Sequence, residues 1–160
     1  MFLFTMKAHQ RHLSLCLFLV AAAALIDTAH GFVVVPSEHK SFASLPAQFG
    51  EQWEDSVKVP ARLQFLEERP RMCRKDRGRN ITVVVPKDGL PVALLVERGG
   101  CSFIEKAKEA LRLSDAVKYV VISDNEDETM LRMSGTHFAG AAPLMISKKS
   151  GTELKQIFMQ

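Results

Sequence analysis

The stretch from Val92 to Ile122 limits what this 160-residue chain can fold into more than any other part of it. Val92-Ala93-Leu94-Leu95-Val96 is apolar without alternation, the pattern of a strand covered on both faces. Glu97-Arg98-Gly99-Gly100-Cys101 follows, a tight glycine turn that presents one arginine and one cysteine. Ser102 and Glu105 form a capping box, and Phe103, Ala107, Ala110 and Leu111 then fall on one helical face. Lys106, Lys108, Glu109 and Arg112 are expected on the opposite, wet face. Val117 to Ile122 supplies a second apolar strand. Strand, helix and strand over about 30 residues make a right-handed βαβ unit with parallel strands. The expected class is α/β, shading into α+β as further strands are counted.

Met1 to Gly31 reads as a secretory signal peptide, apart from the folded domain. Lys7, His9, Arg11 and His12 form a basic opening, Leu13 to Ile26 an unbroken apolar and small-residue run, and Ala29-His30-Gly31 a small-x-small cleavage site. As a helix the run would span about 21 Å. A bilayer core is roughly 30 Å thick, and Asp27 follows at once, so cleavage is favoured over a membrane anchor. Losing Lys7, Arg11 and Asp27 lowers the formal charge of +3 by only one unit. A near-neutral mature chain has no general attraction to nucleic acid or anionic membrane. No stretch in it is expected to span a membrane.

Cysteine usage agrees with export. Cys16 leaves with the leader, and the remaining pair, Cys73 and Cys101, has one intramolecular choice of partner in an oxidising compartment. Two free structural thiols are the competing reading. A bridge between them would stabilise the fold by roughly 3–4 kcal/mol in the chain-entropy account. Asn80-Ile81-Thr82 is a glycosylation sequon, meaningful in a secreted chain.

The rest of the mature chain divides into residues 32–46, an extended lead-in, and 47–160, the domain proper. Val57-Lys58-Val59 and Leu63-Gln64-Phe65-Leu66 read as short strands, with Pro60 marking an edge or a bulge. Arg69, Arg71, Arg74, Lys75, Arg77 and Arg79 form a basic loop without the interleaved aromatics of a nucleic-acid patch, so it reads as a solvated loop around Cys73. Val83-Val84-Val85 reads as a strand stopped by Pro86, and Pro143 to Ile146 as a last one. Ser150 and Glu153 suggest a capped final helix bearing Leu154, Ile157 and Phe158.

Candidate chemistry concentrates at the carboxyl end of the first βαβ strand, where open α/β sheets place ligands. Gly99-Gly100 lacks the Lys-Ser/Thr pair of a phosphate loop. A free Cys101 would have a lowered pKa beside Arg98 and a helix amino terminus, yet the mature chain offers only His39 and His137 as bases. The spacing of cysteines and histidines fits no zinc site. Asp124, Glu126, Asp127 and Glu128 lack the order and the glycine of an EF-hand loop. No metal, cofactor or catalytic residue is expected. Arg98 is equally suited to pairing with a nearby carboxylate and to facing a ligand.

Read together, these residues resemble the protease-associated (PA) domain family. Arg98, Gly99, Cys101, Phe103, Lys106 and Ala107 match its Arg-Gly-x-Cys-x-Phe-x-x-Lys-Ala core. Ala47-Gln48-Phe49-Gly50 and Pro70-x-x-Cys73 match its opening segment and first disulfide cysteine, and Ala142 to Ser147 with Gly151 and Leu154 its closing strand and helix. Ser114-Asp115-Ala116 departs from the family's usual alanine/glycine pair. The resemblance implies a swivelling β/β/α fold with a mixed sheet or open barrel and two or more flanking helices. It also implies a non-catalytic module for protein or peptide contacts, as in sorting receptors whose similar loop holds cargo. Here Arg98, Gly99, Gly100 and Asp124 would make the contact, tied down by Cys73–Cys101. An accessory subunit of a secreted peptidase, acting in trans, is the alternative, and a thiol-exchange enzyme using Cys101 a more remote one. The expected location is the secretory pathway, outside the cell or in an endomembrane or vacuolar lumen. Phe32 after a signal peptide also permits a complex plastid.

Overall fold

A computed structural model describes residues 23–27, 32–35, 39–51, 58–78, 81–127 and 130–159. The expected βαβ unit is its centre: β5 (Val92–Glu97), α1 (Phe103–Leu111) and β6 (Val117–Ser123), with β5 and β6 parallel. Parallel pairing continues on both sides, to β4 (Lys58–Phe65) through Arg62↔Val92 and to β7 (Ala142–Ile146) through Tyr119↔Ala142. β3 (Lys40–Pro46), β2 (Phe32–Val35) and β1 (Ala23–Asp27) add antiparallel strands. β1 pairs with β4 as well, so the mixed sheet closes into a barrel in the order β1-β2-β3-β7-β6-β5-β4. α2 (Lys148–Phe158) completes the fold.

The unbroken apolar character of β5 and β6 has the expected cause: two cores lie on opposite faces of the parallel strands. Ala93, Leu95, Tyr119, Val121, Leu144 and Ile146 pack with Val33, Phe42, Ala61 and Leu63, and Leu154 of α2 joins them. Val92, Leu94, Val96, Val120, Ile122 and Met145 pack on the other face with Ala107 and Ala110 of α1, Phe49, Met72 and Met133. Successive residues of one strand thus serve different cores, as period-two geometry requires.

Several expectations change. The lead-in is built into the barrel as β2 and β3. Ala23–Asp27, assigned by sequence to the leader, forms a strand, and the proposed cleavage site at 29–31 lies outside the described residues. The two short runs around Pro60 are one strand. Pro60 is tolerated because β4 pairs with β5 only from Arg62 onward, while Pro60 itself faces Leu25 of β1. Val83–Val85 is not a strand. The Gln64 side chain takes both backbone groups of Val84, donating to its carbonyl at 2.6 Å and accepting from its N–H at 3.0 Å, which replaces a ladder with a single clamp. α2 starts one turn earlier than expected. Ser147 is its cap, accepting from the Ser150 N–H at 3.1 Å, and Glu153 pairs with Lys40 instead.

Gly151 brings α2 tightly against Ser123 at the end of β6. A Cβ there would stand 1.9 Å from Ser123 Oγ and 2.4 Å from its Cβ. Alanine is normally favoured over glycine inside a helix by about 1 kcal/mol. Overpacking of a dense site costs about 1–3 kcal/mol and more when backbone must shift. We expect Gly151→Ala to be net destabilising, by about 2 kcal/mol, read as a lower urea midpoint with an unchanged slope.

Candidate functional site

The loops after β5, β6 and β7 emerge at one rim of the sheet because those strands run the same way. Backbone bonds stitch the rim together: Arg98 N–H donates to Ser123 O at 2.9 Å, Asp124 N–H to Ile146 O at 2.9 Å, and Glu97 N–H to Pro70 O at 2.6 Å. The last of these draws the basic loop of residues 69–78 against the end of β5.

Cys73 and Cys101 are joined, with Cα atoms 5.8 Å apart, which settles the choice the sequence left open between a bridge and free thiols. The bridge fixes the basic loop to the residue just before the α1 cap. Ser102 caps α1 as expected, accepting from the Glu105 N–H at 3.2 Å. Glu105 does not complete the box. Its carboxylate accepts from the Arg74 N–H at 2.9 Å, capping the short 3-10 turn Arg74–Asp76 of the basic loop. The two sulfurs and a Glu105 oxygen lie within 4.8 Å of one another, but disulfide sulfurs are not thiolate ligands.

Gly99 and Gly100 both have positive φ, 97° and 80°, which explains the glycine pair. Space distinguishes them. A Cβ at Gly99 would meet only Asn125 Nδ2, at 3.9 Å, whereas one at Gly100 would press on Cys73 Sγ at 3.1 Å and Arg71 Cδ at 3.4 Å. The Gly99 carbonyl accepts from Lys106 Nζ at 2.6 Å. Among the described residues, the N–H groups of Gly99 and Gly100 have no acceptor.

Arg98 and Asp124 are brought together, and they face each other. Arg98 Nη1 lies 2.7 Å from Asp124 Oδ1 and 3.2 Å from Glu126 Oε2. The Asp124 side chain is only 2 % exposed and that of Arg98 19 %. Asp124 Oδ1 also accepts from the N–H groups of Asn125 and Glu126, at 2.8 and 3.3 Å, folding the acidic turn around itself. The Asp124 hydrogen bond raises the Arg98 pKa further, so the guanidinium stays charged. Asp124 therefore positions Arg98 and the turn rather than presenting its own charge. Asp127 pairs at the surface with Lys148 at 2.9 Å. Asn80 lies outside the described residues; Thr82 of its sequon is exposed.

Two residues assigned to the wet face of α1 are buried, Lys106 and Glu109. The basic loop covers that face. Glu109 accepts from Arg77 Nε at 2.7 Å and lies 3.5 Å from buried Arg69 Nη2, which also donates to Cys73 O at 2.9 Å. The Arg77 hydrogen bond holds the Glu109 carboxyl below its ordinary range. Lys106 Nζ donates to Arg71 O and Gly99 O, both at 2.6 Å, and lies 3.7 Å from Cys73 Sγ. No local pattern betrays these roles, because every partner but Gly99 lies more than 30 positions away.

No family model matches the chain. No curated protein is similar to it in sequence. Among solved structures it is similar to a zinc aminopeptidase from Bacillus subtilis, with a TM-score of 0.50 and 18 % identity over 84 % of this chain and 28 % of that one. The likeness is one of fold. The chain spans less than a third of that enzyme's length.

Burial pushes the Lys106 ammonium down to about 8, with the Arg71 charge acting in the same sense. From pH 8 towards the ordinary lysine value of 10.5 the unfolded chain holds a proton that the folded chain has released. Stability therefore rises with pH across that window. Burial pushes Tyr119 up to about 12, which acts in the opposite direction above pH 10. We expect the urea midpoint to climb between pH 8 and pH 10, and the climb to vanish in Lys106→Met. That variant should also be less stable at pH 7, because the carbonyls of Arg71 and Gly99, both partly buried, lose the Lys106 donor.

Proposed function

We propose that the chain is a non-catalytic binding module of the protease-associated type, holding a protein or peptide through the loop Arg98–Cys101. The observation that carries this reading is the pair of free N–H groups at Gly99 and Gly100, on a loop immobilised by the disulfide and by Lys106. Both acidic contacts of Arg98 use Nη1, which leaves Nε and Nη2 for a ligand. Unsatisfied N–H groups next to a guanidinium suit a carboxylate or carbonyl oxygen of a peptide. Glu126 and Asp127 at the rim would favour a ligand with basic residues next to that oxygen. Location in the secretory pathway is supported by the disulfide. Among the described residues no helix is long and apolar enough to cross a membrane.

The absence of a catalytic step is part of the proposal. Both cysteine sulfurs after the leader are held in the bridge, His39 lies at the turn before β3, and His137 in the loop before β7. Thiol counting on the native protein tests it: two reactive thiols would restore the exchange reading for Cys101. The fold likeness to part of an aminopeptidase favours a second role, an accessory subunit of a secreted peptidase. Co-purification with a hydrolase would support that role over a free-standing binder.

Arg98→Ala alone would strand the buried Asp124 carboxylate, so the cleaner probe is Arg98→Ala with Asp124→Asn. Peptides displayed with free carboxyl termini should bind the parent chain and lose about tenfold in affinity to the double variant, a change of about 1.4 kcal/mol. Circular dichroism should show the same fold in both. Equal binding by parent and variant, or by free and amidated peptides, would remove this loop from the role.

A further inference from the structure

The strand that closes the barrel comes from the part of the chain that the sequence marks for removal. β1, Ala23–Asp27, lies between β2 and β4 and is antiparallel to both. On one side Leu25, Ile26 and Asp27 pair with Val34, Val33 and Phe32. On the other, all five residues from Ala23 to Asp27 pair with Arg62 back to Lys58. Cleavage after Gly31 takes this strand away and leaves its two neighbours parallel to each other, about 9.6 Å apart, twice the usual spacing.

Such a gap is costly in two ways. The facing edges of β2 and β4 lose their ladder partners, and unpaired edges are templates for another strand. Val33 and Ala61, both fully buried in the barrel core, lie in register with Ile26 and Ala24 and would be uncovered. Pro60 lies in the same wall opposite Leu25, but its missing N–H is on the β5 side, as is the Arg62 N–H that donates to Pro91 O, so the edge offered to an occupant is intact.

We infer that processing opens a one-strand slot between β2 and β4, and that an extended apolar segment donated by a partner protein fills it, antiparallel to both walls. The occupant's chemistry is given by the residues that fit: small side chains beside Ala61 and Arg62, a branched apolar one at the position shared by Val33 and Val59. This site is separate from the Arg98 loop, with β4 lying between it and β5 in the barrel. The inference rests on removal of the leader, not on the loop's function.

The test uses the chain as a secreting host releases it, with the amino terminus read by intact mass. A fluorescent peptide of the sequence Ala21 to Thr28 should bind saturably. Its Ile26→Pro form should bind at least about tenfold more weakly, since a strand flanked on both sides uses its N–H groups in one ladder or the other. A Leu25→Cys peptide should form a disulfide with Val34→Cys protein. It should not do so with Ser41→Cys, which lies in the same row one strand further on and beyond disulfide reach. The Arg98→Ala, Asp124→Asn variant should take the peptide as the parent does, so failure of the loop reading leaves this result untouched. Retention of Ala23–Asp27 in the secreted chain, or indifference to the proline, would overturn the inference. So would a cleaved leader fragment that cannot be exchanged, or a dimer of the processed chain that excludes the peptide.

Discussion

One covalent bond and one buried ammonium hold together everything at the rim. Cys73–Cys101 and Lys106 both tie the basic loop to the glycine turn, the first through sulfur and the second through the carbonyls of Arg71 and Gly99. They act at neighbouring points, so neither loop can move without breaking both. Burying a lysine is unfavourable, and its lowered pKa records that cost. What the fold gains is a turn with two positive-φ glycines held in one conformation, which suits the proposed binding role. A loop already ordered loses less entropy on binding than one that must be frozen.

Two clusters of three charged residues hold loops to the elements of this scaffold. Arg69, Arg77 and Glu109 join the basic loop to α1, and Arg98, Asp124 and Glu126 join the β5 turn to the β6 turn. In each the carboxylate with several partners is the buried one, and an outer residue is the more exposed. Buried pairs of this kind add little net stability over apolar contacts, but losing one partner is severe. Their role is to hold loops in register.

Much of the fold was legible because the core βαβ unit is a local object. Its strand pattern, helix face and glycine turn are all encoded within Val92 to Ser123, and the structure has them there. Pairing of Arg98 with a nearby carboxylate could be weighed from sequence, and Asp124 proves to be that group because both residues directly follow adjacent parallel strands. What could not be read was long-range. Val83–Val85 has strand composition, but the Gln64 amide occupies the groups a strand would use. Lys106 and Glu109 have polar identities that place them in water unless the basic loop is known to fold over them. Residues 32–46 lack a clean alternation, yet a closing barrel recruits them because β7 would otherwise keep an open edge.

The tight seat of Gly151 on Ser123 reaches further than packing. Ser123 is the last residue of β6, and the next residue is the carboxylate that sets the direction of Arg98. Any side chain that lifts α2 off the sheet moves that carboxylate first. A helix on the far side of the strand end, with no group in the loop, thereby governs how accurately the guanidinium is aimed.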